Sequence, residues 1–154
     1  MKAIGKSSWQ GSWKTGNGTI STDTPAVQGL AYSYETRFVE ESGASPEELL
    51  AAAHASCFNQ ALANNFDMVG LQAEDISTSV AVDFGISDAG LPTIYGSHIT
   101  VEARVPGIDA ATFADRAQRA ADGCTISRIM NCEITLEAKL LGPADGADAE
   151  TVSA

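Results

Sequence analysis

An α+β fold is predicted by three features of the sequence. A long helical stretch with a well-marked start occupies residues 45–66, period-two alternation recurs on both sides of it, and a second helical stretch near 109–123 precedes one more alternating run. The order is strands, helix, strands, helix, strand, which is the α+β pattern rather than a regular βαβ alternation.

Residues 3–10 and 18–22 are expected to pair as a first hairpin, with Lys14-Thr15-Gly16-Asn17-Gly18 as its turn signal. Ala31 to Phe38, rich in aromatic and β-branched residues, is read as a strand with Tyr32, Tyr34, Thr36 and Phe38 on one face and Glu35 and Arg37 on the other. The central helix follows. Ser45 is a good N-cap, Pro46 suits the first helical position, and Glu48 stands where a capping box needs it. Glu47 and Glu48 sit at the positive end of the helix dipole. Leu50, Ala53, Cys57 and Ala61 then mark one face, widened by Leu49, Phe58 and Leu62. Between Leu49 and Leu62 no residue is permanently charged, so burial over most of the circumference is expected.

After a loop at Gly70-Leu71, Ile76 to Phe84 alternates as a strand with one wet and one dry face. Ser87-Asp88-Ala89-Gly90 is the hairpin loop, Thr93 to Val105 the returning strand, and Pro106-Gly107 its end. Asp109 caps a second helix that runs through Phe113, Ala117 and Ala120 to Gly123, expected at the C′ position. Cys124 comes next, then a short helical turn at Ser127–Met130 and a last strand from Glu133 to Leu140.

Composition narrows the function. With 154 residues, 44% of them hydrophobic, one domain over residues 1–141 is expected, followed by an acidic tail, 142–154, expected to be disordered. No apolar run is long enough to span a bilayer and no secretory signal is visible, so a cytoplasmic protein without a membrane partner is expected. A net charge of −11 repels a phosphate backbone, which argues against nucleic acid. Three cysteines do not make a structural disulfide framework.

Taken alone, Cys57 on an Ala-rich helix face is more often a small core residue than a nucleophile, and Cys132, alternating with Ile134 and Leu136, reads as core filler. Cys124, just past a helix end, is harder to dismiss as packing, although helix C-termini do not stabilise thiolates. His54 and Cys57 are an i,i+3 pair, but two ligands do not make a zinc site, and no metal is expected.

The stretches Thr36-Arg37-Phe38, Ser45-Pro46-Glu47-Glu48-Leu49, Ala52 to Phe58, Val105-Pro106-Gly107-Ile108-Asp109 and Gly123-Cys124 together resemble the OsmC/Ohr family, the osmotically inducible and organic-hydroperoxide-resistance proteins. The likeness runs from about Ile4 to Leu141, and His54 before Ala55-Ser56-Cys57 resembles the OsmC branch. The resemblance implies antiparallel sheets packed around two long central helices in an intertwined homodimer. It also implies a thiol peroxidase acting on organic hydroperoxides, and less well on hydrogen peroxide, in oxidative or osmotic stress defence. No cofactor is implied beyond an external dithiol reductant such as lipoyl groups or small dithiols. Carried across, Cys57 matches the peroxidatic cysteine, Cys124 the resolving one, Arg37 the arginine that steadies the thiolate, and Glu47 the glutamate that pairs with that arginine.

Physical chemistry agrees with those roles. Attack on an O–O bond needs a thiolate, and an ordinary cysteine with a pKa of about 8.5 is mostly protonated at neutral pH. Burial would make Cys57 still harder to ionise, so a cation is needed, and Arg37 held in a bidentate grip by Glu47 would supply it. An apolar wall for organic peroxides is expected from Phe58 and the aromatic residues of the strands. Thr125 stands where many relatives carry proline, which puts the rate of disulfide formation in question. His54 is read as a packing residue with a hydrogen bond. Two competing readings are a Cys57/His54 acyl-transfer hydrolase, which lacks an evident orienting residue, and a non-enzymatic stress-related binding protein.

Overall fold

Small and hydroxyl-bearing residues shape the first sheet. β1 (Gly5–Gln10) pairs antiparallel with β2 (Asn17–Thr22), and β3 (Leu30–Ser33) pairs antiparallel with the other edge of β2. Gly18 is required in β2 because a Cβ there would collide with the Ser8 carbonyl and the Tyr32 ring. Trp9, opposite Gly18, uses that space to tilt against Tyr32, with ring centroids 5.3 Å apart. The structure, a computed structural model, describes residues 1–39, 43–142 and, for the backbone alone, 150–153. The chain divides into two compact units, Met1–Leu49 and Leu50–Ala154.

The strand expected over 31–38 stops at Ser33. Tyr34–Phe38 is a short helix, α1, because Ser33 and Thr36 close a capping box: the Ser33 hydroxyl accepts from Thr36 N–H, and Thr36 Oγ1 accepts from Ser33 N–H. Tyr34 and Phe38 therefore meet one turn apart, stacked with centroids 4.8 Å apart, rather than sharing a strand face. A local cap has overridden a β-prone composition.

The second helix, α2 (Pro46–Asp67), begins where expected, with Glu48 N–H donating to the Ser45 hydroxyl at 3.0 Å. Its buried stripe is His54, Phe58, Leu62 and Phe66. That corrects the face read from Leu50, Ala53, Cys57 and Ala61, of which Ala53 is exposed and the others half-buried. It also corrects the expectation of burial around most of the helix, since Ala52, Ser56, Gln60 and Ala63 are exposed. The physical reason is area: Phe58, Leu62 and Phe66 each carry far more apolar surface than an alanine, so they choose the face.

The remaining strands form a four-stranded sheet in the order β4-β5-β6-β7. β4 (Asp75–Ile86) and β5 (Pro92–Arg104) are a long antiparallel hairpin, irregular at Asp83/Phe84. Pro106-Gly107 then turns the chain, with Gly107 at φ 79° where a side chain would strain. α3 (Ala110–Gly123) is the crossover that lets β6 (Glu133–Leu140) run parallel to β5, the one parallel pairing in the fold among the described residues. Asp109 caps α3 with one oxygen on Thr112 N–H at 2.8 Å and the other on the Thr112 hydroxyl at 2.7 Å. Gly123, expected just beyond the helix, is its last residue, and Cys124 is the C-cap. A 3₁₀ turn, α4 (Ser127–Ile129), leads back to the sheet. Most of the acidic tail (143–149 and 154) lies outside the described residues, but Glu150–Ser153 pair antiparallel with β6 as β7, where no element was expected. One core cluster joins Phe58, Leu62 and Phe66 of α2 to Phe113 and Ala117 of α3 and to Ile99, Val101 and Leu136 of the sheet.

Phe58→Ala and Phe113→Ala, each removing a fully buried ring, are expected to lower the unfolding free energy by about 3–5 kcal/mol, against less than about 0.5 kcal/mol for Ala52→Ser on the exposed side of α2. Urea denaturation of the three variants checks this; equal losses would mean that the buried stripe has been misplaced.

Candidate active site

The geometry of α2 places Cys57 three residues after His54, one step round from the buried stripe. His54 is therefore fully enclosed, while Cys57 is half-buried on the wall of a cleft of about 1090 Å³. Asn59, Gln60 and Ala63 of α2, the 72–76 segment, and Thr125 and Ile126 also line that cleft. Its lining is mixed, with somewhat more apolar than polar surface. Phe58, expected as its apolar wall, is instead fully buried in the core, and the apolar lining consists of Ala53, Ala63, Ala73, Ile76 and Ile126.

Cys124 arrives from the end of α3 and is 1% exposed. Its thiol and that of Cys57 are neighbours, each shifting the other's ionisation. Burial pushes the Cys57 thiol up, and the neighbouring Cys124 adds to this, against weaker help from the backbone N–H groups of Ile126 and Thr125. Burial also acts to raise Cys124, but the Cys57 thiol, the Ser127 N–H and hydroxyl, and the Ile126 N–H all favour its anion, so it ends below the ordinary thiol value. The two titrate as one pair, in which the first negative charge rests on Cys124 with Cys57 as donor. The unfavourable end of the α3 dipole is overcome by the amides of the following turn, which point back at the sulfur.

Both ring nitrogens of His54 are occupied: Nδ1 meets the Ser97 hydroxyl at 2.8 Å and Nε2 the Ser127 hydroxyl at 2.8 Å. Burial lowers its pKa, so the imidazole is neutral. A ring held at both ends by serines has no nitrogen left to serve Cys57 as a base, which removes the geometric basis of an acyl-transfer dyad. The packing role expected of His54 matches what is seen. Ser97 and Ser127 were not singled out from the sequence; the one available signal was Ser127 standing three residues after Cys124, within one turn of chain.

Arg37 and Glu47 form a second pair. The guanidinium grips the carboxylate in a fork, Nη2 to Oε1 at 2.6 Å and Nε to Oε2 at 3.3 Å, with side chains 28% and 13% exposed. The Arg37 Cζ also lies 5.1 Å from the Phe38 ring centroid. The positions follow from α1: Arg37 is in its last turn, and Glu47 in the first turn of α2. Cys132 is half-buried with its thiol pushed up by burial. Among the described residues, no group of three or more His, Cys, Asp or Glu side chains is arranged to hold a metal ion, and no helix is long and apolar enough to cross a membrane.

A family model described as OsmC-like protein matches residues 39–139, beginning two residues after Arg37. The chain is 40% identical over 136 residues to the peroxiredoxin OsmC of Escherichia coli strain K12 and to that of Shigella flexneri, covering 88% of this chain and 94% of each relative. Among solved structures, the organic hydroperoxide resistance protein OhrB of Bacillus subtilis aligns with a TM-score of 0.66 at 20% identity, over 88% of this chain and 98% of that one. An OsmC-like protein of Mycoplasma pneumoniae aligns with a TM-score of 0.71 at 10% identity, over 92% and 99%. At such identities the structural likeness speaks for the fold alone.

A neutral buried His54 has a definite consequence for stability. Its folded pKa lies below the ordinary 6.5, so the unfolded chain takes up the proton first as pH falls, and stability present above about pH 6.5 is lost below it. The urea midpoint is expected to drop between about pH 7 and about pH 5, with a flatter profile in His54→Gln. Identical slopes in the two proteins would contradict a proton-excluding environment at His54.

Proposed function

Because the chain belongs to the OsmC-like family, we propose that it is a thiol peroxidase that reduces organic hydroperoxides, and less readily hydrogen peroxide, with Cys57 and Cys124 as the reacting thiols and stress defence as its role. The observation that carries this reading is that the two thiols are neighbours, close enough for each to shift the other's ionisation. Two cysteines 67 positions apart in sequence meet inside a fold with no structural disulfide among its described residues, and the more accessible of them opens onto a cleft.

The cycle follows from that pair. Transfer of the Cys57 proton to Cys124 gives the Cys57 thiolate, which attacks the terminal oxygen of the hydroperoxide; the O–O bond breaks, sulfur is oxidised to sulfenic acid, and the alkoxide takes a proton and leaves as the alcohol. Cys124 then attacks the Cys57 sulfenyl sulfur, the S–O bond breaks, and the hydroxyl departs as water. An external dithiol, lipoyl or small-molecule, reduces the disulfide and is itself oxidised. Arg37, aligned by Glu47, steadies the Cys57 anion and the departing alkoxide. Asp67, Glu74 and Asp75 beside the cleft favour uncharged hydroperoxides over anionic ones. The active form is a homodimer in the cytoplasm. What supports the second copy is the uncharged surface that one chain leaves bare on α2, where Ala52, Ala53, Ser56, Gln60 and Ala63 are exposed.

Cys57→Ser is expected to abolish consumption of cumene and tert-butyl hydroperoxide, while Cys124→Ser supports at most a turnover that ends in sulfenate or over-oxidised Cys57. Mass spectrometry of the peroxide-treated protein should find a Cys57–Cys124 crosslink; catalytic consumption retained in Cys57→Ser would reject the assignment. Arg37→Ala should slow alkylation of Cys57 near neutral pH by about tenfold, with rates converging at alkaline pH. An unchanged alkylation profile would remove Arg37 from the mechanism.

A further inference from the structure

A buried hydrogen-bond chain lies behind the two sulfurs. Ser127, whose hydroxyl and N–H favour the Cys124 anion, meets His54 Nε2 at 2.8 Å, and His54 Nδ1 meets Ser97 of β5 at 2.8 Å. His54 and Ser97 are fully buried, Cys124 is 1% exposed and Ser127 is 7% exposed, so water does not interrupt the chain. We infer that Ser127, oriented by His54 and Ser97, is the positioning residue that keeps Cys124 as the attacking thiolate in the disulfide-forming step. The inference rests on Cys57 and Cys124 being the working pair proposed above.

A neutral imidazole has one N–H and one bare nitrogen, so the two serines on it must play opposite roles. When Nδ1 is bare, Ser97 donates to it and Nε2–H donates to Ser127 Oγ, which leaves the Ser127 hydrogen free for the Cys124 sulfur. When Nε2 is bare, Ser127 spends its hydrogen on the ring and can only accept from a Cys124 thiol. The tautomer that Ser97 selects thereby decides whether Ser127 supports the anion or the thiol at Cys124.

Oxidation of Cys57 is the moment at which this matters. In the reduced pair, the Cys57 S–H is the main donor to the Cys124 anion. Once Cys57 is a sulfenic acid that donor is gone, and the Ser127 hydroxyl with the Ser127 and Ile126 amides are what is left to hold the charge. The Cys124 thiolate then forms the S–S bond, the S–O bond of the sulfenic acid breaks, and the departing hydroxide takes a proton from solvent in the cleft and leaves as water. Among the described residues of the unit that holds the pair, the titratable groups around it are few: His54 from α2 acts through Ser127, Asp67, Glu74 and Asp75 line the cleft, and Asp122 and Arg128 are exposed on α3 and α4.

Dithiodipyridine tests this without peroxide. In a Cys132→Ala background, Cys57 takes one thiopyridyl group and releases one thiopyridone; attack by Cys124 on the Cys57 sulfur then closes the disulfide and releases a second. The rate of the second release against pH reports the Cys124 anion. Ser127→Ala is expected to slow it about tenfold near neutral pH, raise the midpoint by about one pH unit and converge with the parent at alkaline pH. Ser127→Thr, which retains the hydroxyl, should stay near the parent. Ser97→Ala, which touches neither sulfur, should shift the profile in the same direction by a smaller amount, and serves should Ser127→Ala not fold. An unshifted profile in Ser127→Ala or Ser97→Ala, an equal slowing at every pH, or a parent protein without a second release would each overturn the inference. A protein that closes its disulfide with the expected profile yet consumes no hydroperoxide would defeat the peroxidase reading and leave this one standing.

Discussion

The meeting of two thiols is the constraint to which the C-terminal unit is fitted. Cys57 is carried by α2, and Cys124 caps the far end of α3, so the contact exists only if two helices distant in sequence are held in one register. The register comes from the core. Phe58, Leu62 and Phe66 press one side of α2 into the cluster that Phe113 and Ala117 enter from α3, and the Phe66 and Phe113 rings stack with centroids 6.1 Å apart. The parallel pairing of β5 with β6 anchors both ends of the segment that contains α3, so the chain at Cys124 has little freedom to drift.

Where the charge sits is settled by neighbours at short range rather than by the protein's overall field. A chain with a net charge of −11 is a poor general environment for another anion. The negative sulfur is nevertheless favoured at Cys124, because a thiol, a hydroxyl and backbone amides converge on it. Burial makes every one of those donors more valuable, since none has water to replace it. The same burial penalises Cys57, so the two sulfurs of one contact are driven in opposite directions. Polarisation of this sort suits a pair that must exchange roles during a cycle.

Some of this was legible in the sequence and some was not, for identifiable reasons. Helix starts were readable because capping is local: Ser45 with Pro46 and Asp109 with Thr112 act across three or four residues. Strands were readable where burial alternates, as along β4. The stretch 31–38 was misread because aromatic and β-branched content suggested a strand, while the Ser33–Thr36 cap closes a turn of helix. The wrong face of α2 was chosen because alanines satisfy any periodicity but carry too little area to decide which side is buried. Cys57, Cys124, Arg37 and Glu47 were named from their motifs; the two pairings among them are contacts that no spacing specifies.

By itself the sequence determined the class of fold, the ends of the long helices and the identity of the residues able to do thiol chemistry, since each depends on neighbours a few positions away. Only the tertiary structure decided which sulfur holds the proton, that Phe58 belongs to the core instead of the cleft, and that Ser97, His54 and Ser127 join in one chain. Those outcomes depend on groups 43 and 73 positions apart that meet out of reach of water, where hydrogen-bond partners, not residue type, set the protonation state.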